Sequence, residues 1–243
     1  MRFNLTARLT AEFVGTAFLV AAVIGSGVMG DRLAGGNVAL ALLANTIATG
    51  AALVALILTF GSVSGAHFNP VVTLVDAVGS GLPWKDAAAY ITVQVTGGIC
   101  GTVIAHLMFA LSVISISRHD RHGWPTVFSE FVATFGLLMV IAACSRFRSS
   151  AVPFAVASYI TAAYWFTAST SFANPAVTIA RSLSDTFAGI RPVDAPLFIA
   201  AQVVGGLTAM FVARIVFDPV VPGCRVNRHT AAPPDLQSPH GAS

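Results

Sequence analysis

Asn69-Pro70-Val71, set in His67-Phe68-Asn69-Pro70-Val71-Val72-Thr73-Leu74, returns as Asn174-Pro175-Ala176 in Phe172-Ala173-Asn174-Pro175-Ala176-Val177-Thr178-Ile179. An asparagine carboxamide accepts hydrogen bonds at its oxygen and donates twice from its nitrogen. It is also a strong N-cap, and proline fits the first helical position, so each tripeptide predicts the start of a short helix. Both motifs lie in short apolar stretches flanked by longer ones. A helix that begins inside a membrane aims bare N–H groups and the positive end of its dipole at the midplane. Irregular backbone survives at that depth only where it is buried in protein or lines a cavity. Two such starts, one in each half of the chain, predict a channel or a transporter.

The elements that must position these motifs are legible in the composition. Of 243 residues, 56% are hydrophobic and 9% charged, where a soluble domain carries about 25% charged residues. The mean hydropathy is +0.80. Six stretches have the roughly 20 residues that a bilayer crossing takes: 9–29, 38–60, 84–113, 127–144, 152–170 and 195–217. The net charge of +3 predicts no nucleic-acid partner, because the basic residues sit at the ends of these spans. With both termini on one side, that side holds Arg2, Arg8, Lys85, Arg146, Arg148, Arg214, Arg225 and Arg228. The other holds Arg32, Arg118, Arg121, Arg181 and Arg191. This split favours cytoplasmic termini. The two short helices then enter from opposite faces, an inverted-topology arrangement.

The halves align at three places in the same order. Ala11-Glu12-Phe13-Val14-Gly15-Thr16 matches Ser129-Glu130-Phe131-Val132-Ala133-Thr134, the Asn-Pro segments match each other, and Val93-Gln94-Val95-Thr96-Gly97-Gly98 matches Ala201-Gln202-Val203-Val204-Gly205-Gly206. A single channel domain over 1–222 is expected, with repeats at about 8–113 and 126–218. The polar stretch 223–243, with Pro233-Pro234, reads as a disordered tail.

On these anchors the chain, over roughly residues 8–218, resembles the aquaporin and glycerol-facilitator family. The resemblance implies an all-α membrane fold: a right-handed bundle of six transmembrane helices with two re-entrant half-helices meeting end to end. It also implies a homotetramer in the lipid bilayer, placed in a bacterial inner membrane, with one pore per subunit. Pore-lining motif residues would be Asn69, Pro70, Val71, Asn174, Pro175 and Ala176. Two departures stand out: Val71 replaces the family's usual alanine, and Val177 replaces the arginine that normally follows the second motif.

Family selectivity is set by four side chains nearer the outer mouth. Carried over by spacing, these are Thr49, Ala162, Ser171 and Val177. Water-selective members typically carry an aromatic, a histidine, a small residue and arginine there; glycerol-conducting members carry two aromatics, a glycine and arginine. A ring of four small residues should be wide and weakly polar, and without arginine it lacks a fork of donors and a fixed charge. Arg181 lies four residues beyond Val177, on nearly the same helical face. It reads either as a basic group in the outer vestibule or as a helix-end arginine held by carbonyls or by Asp185.

Glu12 and Glu130 are ionisable groups inside spans, ordinarily a functional signal. The family uses such glutamates to hold the re-entrant loops, which makes them structural here. His67, just before the first motif, is expected to make a structural hydrogen bond, and Arg118, His119, Arg121 and His122 to form a wet outer loop. Three scattered cysteines suggest no disulfide framework. With no nucleotide loop, metal cluster or nucleophile–base pair, the reading is of a non-enzyme without cofactor or metal. Its partners are water and small neutral solutes: glycerol-type polyols, urea, or metalloid hydroxides such as arsenite, together with organoarsenicals. Bacterial members associated with arsenic resistance are the nearer comparison, because they too lack the filter arginine. The alternatives are a water-selective pore and an ion-coupled secondary transporter.

Overall fold

A computed structural model describes residues 3–217; the expected disordered tail and Arg2, Cys224, Arg225 and Arg228 lie outside the described residues. The described chain is helical, with no strand. Its α-helices are α1 (Leu5–Leu33), α2 (Val38–Ser64), α3 (Pro70–Val78), α4 (Trp84–Met108), α5 (Trp124–Phe147), α6 (Val152–Phe166), α7 (Pro175–Arg181) and α8 (Ala195–Phe217). Asparagine starts four of them. Asn4 accepts from the Ala7 amide at 2.8 Å and Asn37 from the Leu40 amide at 3.1 Å, while Asn69 and Asn174 cap α3 and α7. Gly65 ends α2 at φ +91°, a left-handed stop that glycine adopts without penalty.

Five helices, α1, α2, α4, α5 and α8, are long and apolar enough to cross a membrane. The stretch expected to span at 152–170 divides differently. Helix α6 has 15 residues, roughly 22 Å at 1.5 Å per residue, and at Thr167 the backbone turns extended (φ −112°, ψ 141°). The stretch at 84–113 also stops early, at Met108, and Ala110 adopts φ +54° just beyond it. In both places apolar residues continue past the helix end into a loop; Thr167 and Ser169 are buried in one, whereas Val113 and Ile114 stay exposed in the other. Large apolar side chains stay exposed along α8, at Leu197, Val204, Phe211 and Ile215. That is a stripe for acyl chains to cover. Trp84 and Trp124, at helix starts, suit the interfacial layer.

Glycines bring the helices of each half together in parallel. A Cβ on Gly97 of α4 would lie 2.5 Å from the Phe13 carbonyl oxygen of α1, and one on Gly205 of α8 would lie 2.5 Å from that of Phe131 on α5. Backbone cannot yield as a side chain can. The halves also lock onto each other. Gly98 faces the Ala176 carbonyl of α7, and Gly206 faces the Val71 side chain of α3. Val71 thus fills the space that Gly206 leaves open. Gly205→Ala should destabilise the folded chain by about 1–3 kcal/mol through overpacking. Thermal unfolding in detergent should show a lower midpoint, and an unchanged one would refute this close contact.

Candidate site: a cavity between two short helices

Each half-helix is preceded by a loop tied to one buried carboxylate. Glu12 accepts from the backbone N–H groups of His67 (3.0 Å) and Phe68 (2.7 Å), and from Ser64 Oγ (2.6 Å) and Gln94 Nε2 (2.8 Å). Glu130 accepts from the N–H groups of Phe172 and Ala173, both at 2.8 Å, and from Gln202 Nε2 at 2.6 Å. The two glutamines also donate to Thr73 and Thr178 of the half-helices, at 2.9 and 3.0 Å. The backbone repeats as closely as the side chains do. Gly65, Ala66 and Phe68 have φ of 91°, 49° and 48°; Thr170, Ser171 and Ala173 have 62°, 50° and 47°. Such left-handed non-glycine residues cost of order 1–3 kcal/mol each and persist only where their surroundings enforce them. The carboxylates do so here. In a trans peptide the C=O opposes the N–H, so the carbonyls of Ala66, His67, Ser171 and Phe172 point away from the glutamates. These four residues line a cavity.

Asn69 and Asn174 join the two loops. Asn69 Nδ2 donates to the Ala173 carbonyl and Asn174 Nδ2 to the Phe68 carbonyl, each at 2.7 Å. Their Oδ1 atoms accept from Val71 N at 2.9 Å and from Ala176 N at 3.0 Å. A carboxamide nitrogen has two hydrogens, which leaves one on each asparagine for an occupant of the cavity that both residues line. Pro70, Pro175 and Ala176 are buried at the helix starts and do not line it. Val71 likewise faces protein.

The cavity, about 460 Å³, has one wall of loop backbone and asparagine and another of apolar side chains, among them Val23, Leu53, Leu138, Val156 and Ile160. Arg146 and Arg214 line one end and Arg181 the other. The apolar wall also carries the hydroxyls of Thr49 and Tyr164, so polar groups are many on one side of the cavity and few on the other.

The four residues assigned by spacing to the filter do not all gather there. Thr49, Ser171 and Val177 line the cavity, but Ala162 is exposed on the outer side of α6. Tyr164 takes its place. It lines the cavity on the same helical stripe as Val156 and Ile160, and its hydroxyl lies 3.3 Å from Thr49 Oγ1. Between Ala162 and Asn174 the chain leaves α6 and enters a loop, where a fixed offset loses meaning. Two residues of helix rotate a side chain by about 200°, which is why Ala162 points away. The assignment of Ala162 is therefore corrected: it does not line the cavity. Tyr164 supplies a ring, and Arg181, only 2% exposed, lines the cavity one turn beyond Val177.

Arg181 Nε donates to the Ala188 carbonyl, and its guanidinium carbon lies 3.4 Å from the centroid of the Phe172 ring. Of the two partners expected for it, the carbonyl is present; Asp185 instead binds Arg118 at 3.0 Å. The Arg118 backbone N–H, and then its side chain, hold the Asp185 carboxyl below the usual carboxylate range. The outer loop is less wet than expected. Arg121 reaches inward to the carbonyls of Gly189 (2.7 Å) and Ser169 (3.0 Å) and lies 4.9 Å from the Phe172 ring. His67 places Nδ1 at 3.1 Å from Thr73 Oγ1 and lines the cavity as well.

A family model described as major intrinsic protein matches residues 2–149. The aquaglyceroporin AqpS of Rhizobium meliloti (strain 1021) is 52% identical over 231 residues, covering 95% of this chain and 99% of that protein. Aquaporin NIP1-4 of Oryza sativa subsp. japonica is 36% identical over 146 residues, covering 59% of this chain and 52% of its own length. Among solved structures, the X-ray structure of the aquaglyceroporin from Plasmodium falciparum superposes with a TM-score of 0.67. The match covers 88% of this chain and 98% of that one at 19% identity, and so speaks for the fold alone.

Proposed function

The chain belongs to the major intrinsic protein family, and from that membership we propose that it is a passive channel for small neutral solutes, passing glycerol-type polyols and metalloid hydroxides together with some water. The observation that carries this reading is the cavity itself, which runs past both asparagines between an apolar wall and a row of backbone carbonyls. Its two membrane-buried carboxylates, Glu12 and Glu130, are occupied by backbone and glutamine donors. A coupling carboxylate must exchange its partners for an ion or a proton; these two hold the loops in place. The half-helix dipoles and asparagine donors raise the potential at the middle of the pore, which opposes cations and interrupts a proton-conducting water chain.

Arsenite, a neutral trihydroxide at physiological pH, presents the same hydroxyl surface as a small polyol, and the small side chains of Ser171 and Val177 leave room for it and for organoarsenicals. That fit supports a role in arsenic resistance. A water-selective pore is the second reading, favoured by the Tyr164 ring in the filter. We place the channel in a bacterial inner membrane as a homotetramer with cytoplasmic termini. The uneven distribution of basic residues supports the orientation, and the exposed apolar helix faces suit contact with lipid and neighbouring subunits.

Flux should run downhill only. In proteoliposomes, glycerol and arsenite entry should continue unchanged when the proton gradient is collapsed. Strict dependence on that gradient would move the protein to the coupled transporters, and water flux with no entry of either solute would favour the water-selective pore.

A further inference from the structure

Arg181 is the one buried basic side chain of α7. Its Nε is held by the Ala188 carbonyl and its plane by the Phe172 ring, on which Arg121 also lies. Among the described residues no carboxylate pairs with it. Asp185 is engaged by Arg118, Asp194 by Arg191, and Glu130 by backbone and glutamine N–H groups. The guanidinium therefore has no carboxylate counter-ion among the described residues, and the residue lines the cavity. No described protein acceptor engages its two Nη groups. A second observation concerns Ser171, the residue next to Phe172 in the chain. Ser171 Oγ, in a residue 3% exposed that also lines the cavity, has no hydrogen-bond partner. A buried hydroxyl and a buried guanidinium fork, both without protein acceptors, are complementary to a solute carrying oxygen acceptors.

We propose that Arg181 supplies the guanidinium of this pore's outer filter in place of residue 177, and that its Nη groups form with Ser171 Oγ a subsite for solutes bearing two neighbouring oxygen atoms. The inference rests on the channel reading above and adds to it the residue that rejects cations and the chemistry of the preferred solute. The positive charge is displaced outward by one helical turn, which leaves Val177 as an apolar step beneath it. A solute exchanges its bonds to water for bonds to Arg181 and Ser171 at the mouth, then passes Val177 and the Tyr164–Thr49 pair. Glycerol and metalloid hydroxides carry such pairs of oxygens; a monovalent metal cation meets the repulsion of the guanidinium.

The test uses the full chain in proteoliposomes, with the quantified amount of inserted protein giving the number of pores, and water, potassium and glycerol fluxes expressed both per pore and as ratios to one another. Arg181→Met, close to arginine in length but without charge, should raise the potassium-to-water ratio about tenfold or more and lower the glycerol-to-water ratio. Arg181→Lys keeps the charge but loses the planar fork; it should exclude potassium as the native channel does while losing preference for glycerol. Ser171→Ala, a small change that leaves the charge in place, should lower the glycerol ratio alone. The proposal is overturned if Arg181→Met leaves both ratios at native values, or if Arg181→Lys and Ser171→Ala both keep the native glycerol ratio. Should Arg181→Met fail to insert, the lysine and alanine variants decide the question by themselves. Failure of the channel reading looks different: the native protein would then pass neither water nor glycerol downhill.

Discussion

A Val177→Arg channel should still conduct water, yet admit methylated or otherwise partly apolar metalloid species roughly ten- to a hundredfold more slowly than the native protein. Val177 lines the cavity with Thr49, Ser171 and Tyr164. An arginine there is longer and narrows the passage, and it sets a second guanidinium one turn from Arg181. The two like charges repel, and neither has a carboxylate to bridge them. Water occupies the donors and is replaced at no loss by a solute that can accept several bonds. A methylated solute displaces that water without replacing its bonds. Each bond so lost costs on the order of 1–3 kcal/mol, which at the limiting barrier gives the stated range. Stopped-flow swelling with water, glycerol and a methylated arsenical as osmolytes, on matched amounts of inserted protein, measures it. Equal entry of the methylated species through both channels would remove residue 177 from the filter and leave Arg181 and Tyr164 as its defining residues.

What could be read from the chain, and what could not, divides by the range of the forces involved. Asn69 and Asn174 were legible because a helix cap is a local device that needs only its own next residues. Glu12 and Glu130 were legible through the repeat, although what they hold became visible only when His67, Phe68, Phe172 and Ala173 were in place around them. Gln94 and Gln202 showed in the sequence as matched anchors without a stated task; each proves to link a glutamate to a half-helix threonine. Tyr164 was missed although a signal existed. Val156, Ile160 and Tyr164 recur every four residues on α6, and following that stripe would have reached the tyrosine where a fixed count back from Asn174 reached Ala162. Arg181 could be put on the face of Val177 from its spacing, but its burial could not. Ala188, which accepts its bond, and Phe172, which takes its plane, reach it from loops on either side of α7.

The largest structural effect should come from changing a single carboxylate. Glu130→Gln keeps size and shape but replaces one acceptor oxygen with an NH2 group, in a site where all three neighbours, Phe172 N, Ala173 N and Gln202 Nε2, are donors. One donor must then face another. The hydrogen bonds to charge, worth about 1.5–3 kcal/mol each, fall to neutral strength, and at least one buried N–H is left without a partner at about 1–3 kcal/mol. A total of roughly 3 kcal/mol or more corresponds to about 6–12 °C in the unfolding midpoint of a chain this size. Function should suffer more than stability. The carboxylate enforces the left-handed backbone at Ser171 and Ala173, so its loss releases the loop that carries Ser171, Phe172 and Asn174 into the cavity. Glu12→Gln should do the same to the other loop, through His67 and Phe68, at the opposite half-helix. Thermal unfolding in detergent, paired with water flux per inserted channel, separates the two consequences. If Glu130→Gln unfolds at the native temperature and conducts water at the native rate, the carboxylate does not hold the loop. If flux falls while the midpoint holds, the loop moves within an intact bundle, and the part of the argument that concerns global stability is wrong.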